Sequence, residues 1–336
     1  MSDYIFVMSL NDSNGLMVYV RDGLSPGSVD AAALHVAIGM FDGIHIGHRA
    51  VLSRAIKAAR AAGELSAVFT FDPHPSRILR PDKATRLIMP LERRIRRMHE
   101  EGIDLVLVKV FDHEYAKIDA SEFVPSLVEA FAGLKSLHVG ENFRFGAGRS
   151  GSVATLMESA KAVGLLLEIV KREHLDEEPI SSSRIRMELE EGRVQSVKGM
   201  LGRPYIAEGA VIPGKGIGRK LSFPTLNVSW NPEARPKFGV YRVALQSDKG
   251  GRSIPGIANY GLRPTVNDTT DPLLEVHLLT EEEVPVQGDC VRVALLDFVR
   301  EERAFVSVEA LKDQIAEDVD SAIKAFAREK SLPAAF

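Results

Sequence analysis

Residues 34–48 read LHVAIGMFDGIHIGH, and the reading of this stretch decides the fold of the first half of the chain. It opens with an apolar run, turns through Gly39, Gly43 and Gly47, and runs into AVLSRAIKAARAAG, whose apolar residues recur at helical spacing. Apolar residues at successive positions mean a strand buried on both faces, as in a parallel sheet. A glycine-rich turn between such a strand and a helix presents the unpaired N–H groups of the helix start, a site suited to phosphate. The pattern then repeats. SAVFTF, DLVLVKV, SLHVG and LLLEIV are further buried strands, separated by the helical segments LERRIRRMHEEG, SEFVPSLVEAFAG and SVATLMESAKAVG. Gly63, Gly102, Gly133 and Gly164 stand where helix C-caps are expected. Strand–helix alternation predicts an α/β domain with a doubly wound parallel sheet. Arg93–Arg97, RRIRR, reads as a solvated helix face, and residues 1–30 carry little pattern, with Met17 a second candidate start.

Two more helical segments, SSSRIRMELEEG and VQSVKGMLG, precede a change of rhythm near Arg203. YIAEGAVI, SFPTLNV, GVYRVALQ, RSIPGIANY, LLEVHLL and CVRVALLDFV follow at short intervals with Gly and Pro turns, the pattern of a small antiparallel β-barrel. VEALKDQIAEDVDSAIKAFAREK is a C-terminal helix. The expected domains are therefore 1–202 and 203–336. Composition bounds the function. The chain of 336 residues is 45% hydrophobic and 26% charged, with 42 Lys and Arg against 46 Asp and Glu, a net charge of -4. Such a balance provides no field for gripping a polyanion, so no nucleic-acid partner is expected. No apolar run nears the roughly 20 residues of a membrane span. Cys290 is the one cysteine, which leaves no disulfide framework and suits the cytoplasm.

Several motifs carry chemistry, each beside a plainer reading. His45 and His48 are either exposed loop residues or imidazoles set against ATP phosphates at the helix start; their position after the first strand, among glycines, favours the second. His74 in TFDPHP closes the second strand and faces the carboxyl edge. Asn142, Arg144 and Arg149 lie in GENFRFGAGRSG, a loop that either wraps an anionic or planar ligand or is only a turn. In ISSSRIR, Ser181 or Ser182 is an N-cap, and Arg184 and Arg186 are also spaced to neutralise a triphosphate. GAVIPGKG is not a P-loop, because Gly216 stands where Ser or Thr is required and a strand follows. The loop after it, GRKLSFPTLNV, brings Lys215, Arg219 and Lys220 towards phosphates and offers Thr225 and Asn227 as hard ligands for Mg²⁺. Glu275 and His277 share one face of a strand, where a carboxylate can take a proton from a hydroxyl.

Taken in order, GMFDGIHIGH, TFDPHP, GENFRFGAGRSG, ISSSRIR, GRKLSFPTLNV, ANYGLRPTV, LEVHLL and LKDQIAEDV resemble the bacterial bifunctional riboflavin kinase/FMN adenylyltransferase family over nearly the whole chain. The resemblance implies a nucleotidyltransferase domain that adenylylates FMN to FAD and a barrel that phosphorylates riboflavin to FMN, both with ATP and Mg²⁺. It implies His45 and His48 on the ATP phosphates, with Gly39, Phe41, Gly47, Ser182, Arg186, Lys215 and Arg219 binding ATP. Asn142 and Arg144 would lie near the flavin, Thr225 and Asn227 would bind the metal, and Glu275 would be the base. Met40, Ser183, Ser222 and Leu226 depart from the family's usual Asn, Thr, Gly and Ala. EEEVPVQGDC lacks the aromatic usual before the glycine matched to Gly288. Three rivals stand beside this reading. A class I aminoacyl-tRNA synthetase shares the HIGH letters but needs a lysine-rich second signature that is absent; the others are an adenylyltransferase with a merely binding barrel and a non-enzymatic flavin sensor.

Overall fold

The computed structural model describes residues 6–12, 15–21, 33–214, 216, 218, 221–248, 250–262, 272–280 and 284–329. The chain divides into two compact units, residues 1–182 and 183–336. In the first, β3 (Leu34–Ile38) leads to α1 (Ile46–Ala62), β4 (Leu65–Asp72), the short α2 (Pro75–Leu79), α3 (Leu91–Glu100), β5 (Leu105–Val110), α4 (Ala120–Ala130), β6 (Leu134–Gly140), α5 (Val153–Ala162) and β7 (Leu166–Val170). The hairpin β1 (Phe6–Asp12) and β2 (Gly15–Arg21) precedes them, and β8 (His174–Leu175) with β9 (Glu178–Pro179) follows. The sheet order is β1-β2-β5-β4-β3-β6-β7, with β2 joining the parallel strands alongside β5. The hairpin is an addition to the expected architecture.

Alternation along each parallel strand builds a core on both faces. Leu34, Val36 and Ile38 pack with Phe69, Phe123, Val124 and Leu156 on one side. Ala37 and Val68 meet Leu52, Ile95 and Met98 on the other. Strand order runs outward from β3 through β4 and β5 in one direction and through β6 and β7 in the other, so the switch point lies at the end of β3, where such sheets bind ligands. Two expectations need correction. Gly63 caps α1 at φ 68, but α4 ends at Phe131 rather than at Gly133. Arg94 of α3 is fully buried, so RRIRR is not a solvated face: its second arginine falls on the same inward stripe as Leu91, Ile95 and Met98.

In the second unit, β10 (Tyr205–Ile212), β11 (Leu226–Val228), β12 (Gly239–Ser247), β13 (Gly250–Leu262), β14 (Pro272–Leu278) and β15 (Cys290–Arg300) close in the order β10-β11-β14-β13-β12-β15. Tyr241, Val243, Tyr260, Leu274, Val276, Val293 and Leu295 fill the interior, none of them exposed. The C-terminal helix α8 (Val308–Arg328) covers part of the outer face, with Ala322 and Phe326 against Val240 and Ile257. Arg300 fixes it by donating to both carboxylate oxygens of Asp318, and Arg242 pairs with Glu329 at 2.6 Å while lying over the Phe326 ring.

Helices α6 (Ser182–Glu190) and α7 (Val194–Leu201) belong almost wholly to this second unit. Gly202, the expected domain boundary, is the left-handed C-cap of α7. Val194, Val197, Met200 and Leu201 are buried, and the Gln195 side-chain amide donates to the Leu296 carbonyl of β15 at 2.8 Å. A fragment that begins at Gly199 loses Val194 and Val197, each contributing about 1.5–3 kcal/mol by burial. The fragment 183–336 is therefore expected to unfold cooperatively at a clearly higher temperature than 199–336; equal melting temperatures by circular dichroism would show that α7 contributes nothing to the barrel.

Candidate active sites

The turn from β3 to α1 is held in a shape that most side chains resist. Phe41 and Ile44 lie at φ 49 and 42, beside Gly43 at φ 83. Non-glycine residues in this region cost of order 1–3 kcal/mol each and persist where the surroundings enforce them. Here the buried Asp42 carboxylate accepts hydrogen bonds from the backbone N–H groups of Ile88 and Met89, and the Ser182 hydroxyl donates to the Asp42 carbonyl at 3.0 Å. Ser182 thereby meets the histidine turn across 140 positions of sequence. The Phe41 ring is buried, lies edge-on to His48 and sits where a side chain at Gly39 would be.

His45 is the N-cap of α1, and its Nδ1 accepts the backbone N–H of His48 at 3.1 Å. In the neutral ring this puts the proton on Nε2. The two imidazoles stack with centroids 3.6 Å apart, an approach that Gly47 permits, since a Cβ there would lie 3.2 Å from the His45 ring. Burial holds the His48 pKa well below the ordinary histidine value, with His45 and the Arg94 guanidinium adding to the effect. A neutral ring at a helix start donates a hydrogen bond to an anion without needing a proton from solvent. His74 instead caps α2, accepting the N–H of Ser76. Asn142 and Arg144 are exposed on the loop after β6, while the alternating Phe143 and Phe145 stack on each other and against Phe123.

Sequence reasoning missed an aromatic group at the carboxyl ends of β4 and β5. Phe71, Phe111 and Tyr115 pack with centroids 5.8–5.9 Å apart, Lys109 lies over the Tyr115 ring, and the buried Tyr115 hydroxyl has no hydrogen-bond partner among the described residues. The signal was the period-2 aromatic spacing in FTF, too short to separate from core.

On the barrel, the register sets Asn227 of β11, Glu275 of β14 and Asn259 of β13 in one row on the outer face. Asn227 is buried, and a Cβ at Gly214 would fall 2.0 Å from its amide nitrogen; a Cβ at Gly218 would lie 3.2 Å from the Thr225 hydroxyl. The absence of a side chain at these two glycines leaves room for their close approach to Asn227 and Thr225. His277 donates from Nδ1 to the Pro224 carbonyl at 2.8 Å and meets Phe223 edge-to-face, which fixes the strand start. Asn259 donates to Glu302, a further carboxylate that the motif search did not find. Ser222 stands at φ 70, the left-handed region that favours glycine. Arg186 lies on α6 in the second unit, and Lys215, Arg219 and Glu281–Glu283 fall outside the described residues. Val284 and Val286 are exposed.

Residues 28–184 match the family model described as FAD synthetase, and residues 201–326 match the one described as riboflavin kinase. A bifunctional riboflavin kinase/FMN adenylyltransferase of Escherichia coli strain K12 is 35% identical over 283 residues, covering 84% of this chain and 90% of that protein. Its counterparts of Haemophilus influenzae and Bacillus subtilis are 35% and 33% identical, each over 87% of this chain and over 93% and 92% of their own length. A crystal structure from Streptococcus pneumoniae, described as a macrolide-efflux protein, superposes with a TM-score of 0.80 at 25% identity, covering 93% of this chain and 99% of its own.

Two measurements check the local geometry. An ordinary histidine is half protonated near pH ~6.5. His48 should show the neutral ring there by ¹⁵N–¹H NMR; since the unfolded chain takes that proton more readily, the first unit should lose stability as pH falls from ~6.5 towards the folded value. A His48 resonance half titrated at that pH would contradict its burial. Ser222→Gly should raise the stability of the barrel by up to about 1 kcal/mol by removing left-handed strain, and a loss of stability in urea unfolding would show that the serine is unstrained.

Proposed function

The chain belongs to the bifunctional riboflavin kinase/FMN adenylyltransferase family, and from that premise we propose how its residues divide the chemistry. The enzyme phosphorylates riboflavin with ATP to FMN and adenylylates FMN with ATP to FAD, releasing pyrophosphate. Adenylylation belongs to the first unit and phosphorylation to the barrel. The observation that carries this reading is the stacked pair His45 and His48, which caps a helix at the switch point of a parallel sheet. Attack of the FMN phosphate on the α-phosphorus of ATP needs no covalent nucleophile. It needs the two reactants held in line and the charge on the leaving pyrophosphate stabilised. His45 and His48 donate to the phosphates, the backbone at Gly39, Phe41 and Gly47 lines the same turn, and Ser182 braces it. The flavin ring rests against Phe71, Phe111 and Tyr115, with Asn142 and Arg144 beside it.

In the kinase site Glu275 takes the proton of the ribityl hydroxyl as that oxygen attacks the γ-phosphorus. Thr225 and Asn227 contribute a hydroxyl and an amide oxygen to Mg²⁺, with Lys215 and Arg219 on the phosphates. This donor set suits a hard ion carried largely by nucleotide phosphates. Among the described residues no group of three or more His, Cys, Asp or Glu side chains could hold a metal by itself. When bound, the ion neutralises charge on the triphosphate. No helix among the described residues is long and apolar enough to cross a membrane, and the cytoplasm, with its ATP, is the setting that both reactions require.

His45→Ala or His48→Ala should lower FAD formation from supplied FMN by roughly 10² or more and leave FMN formation from riboflavin intact. Glu275→Gln should do the reverse. Chromatographic separation of FMN and FAD from each variant checks both; parallel loss of the two activities in a folded variant would overturn the division.

A further inference from the structure

A fully buried arginine is costly to keep unless its charge is used. Arg94 of α3 has no exposed surface, and its side chain reaches the carboxyl edge of the sheet rather than solvent. One Nη donates to the Met40 carbonyl at 2.8 Å, and the other lies 3.9 Å from the Asp72 carboxylate. Met40 leads from β3 into the histidine turn, and Asp72 ends β4, so one planar group spans the exits of both strands. The Thr70 hydroxyl donates to the same Met40 carbonyl at 3.4 Å. Asp72, 3.9 Å from the guanidinium, is partly exposed, and the Arg94 charge also acts on His48, whose protonation it disfavours.

We propose that Arg94 is a positioning residue of the adenylylation centre, which ties the exits of β3 and β4 together and sets a permanent positive charge behind the phosphate-binding turn. The inference rests on the assignment of adenylylation to this turn. Guanidinium suits both tasks: it stays charged when buried and its donors diverge in one plane. Burial makes a cationic His48 costly, and the charges of His45 and Arg94 add to that cost. Arg94 is thus the charged partner and His48 the neutral one.

The test uses the full chain with Arg94→Met, which keeps the aliphatic volume, and Arg94→Lys, which keeps the charge. FMN formation from riboflavin, carried out by the other unit, reports folding in the same sample. Arg94→Met should lower kcat/KM for adenylylation of supplied FMN by about 10² and move the His48 titration upward by NMR. Arg94→Lys should keep the low His48 titration and stay within about tenfold of the unaltered rate. A purely structural filler predicts the opposite order, Met above Lys, and that order, or unchanged adenylylation and an unmoved His48 in Arg94→Met, overturns the proposal. If Arg94→Met does not fold, a shifted His48 or a deep loss of rate in Arg94→Lys overturns it equally. Should His45→Ala and His48→Ala keep full FAD formation, the site assignment itself has failed; should they lose it while Arg94→Met does not, only the role of Arg94 has.

Discussion

The buried carboxylate of Asp42 is the constraint on which the first unit depends. It accepts the N–H groups of Ile88 and Met89, and the hydroxyl of Ser182 donates to its carbonyl. Without these bonds a turn with Phe41 and Ile44 at positive φ would relax, because its strain is of the same order as the bonds that oppose it. With them, His45 caps α1, His48 stacks beneath it, and Gly47 leaves room for the contact. Through its carboxylate and its carbonyl, Asp42 thus joins segments near positions 42, 88 and 182 around the start of α1.

The barrel reaches a comparable result by other means. Its interior is apolar, so every polar group with a chemical task is on the outer face, and register alone brings Asn227, Glu275 and Asn259 together. Gly214 approaches Asn227 closely and Gly218 approaches Thr225. Under the proposed assignment the two units meet the same substrate, ATP, with different chemistry: imidazoles at a helix start in one, hard oxygen donors and a carboxylate in the other. On that assignment, one chain runs two phosphorus transfers with separable residues.

Much of the site was legible because its motifs are local. FDGIHIGH joins strand end, turn and helix start within eight residues, and Thr225 and Asn227 stand two positions apart where β11 begins. Residues that work across the sheet were not legible. Arg94 sits in a run of arginines that resembles a solvated face, and whether its stripe faces inward depends on how α3 lies on β4 and β5. Glu302 and the aromatic group of Phe71, Phe111 and Tyr115 come from separate segments with no common spacing. Ser222, a departure from the family's usual glycine, gains its meaning only from its backbone angle.

By itself the sequence determined the order of elements, the doubly wound sheet followed by a barrel, and the histidine turn, because periodicity and glycine placement are local properties of a chain in water. Only the tertiary structure decided which arginine is buried, that the hairpin of β1 and β2 extends the sheet, and that α6 and α7 pack with the barrel. Those outcomes depend on which apolar surfaces find each other across long separations. The burial free energy that selects among them has no direction along the sequence.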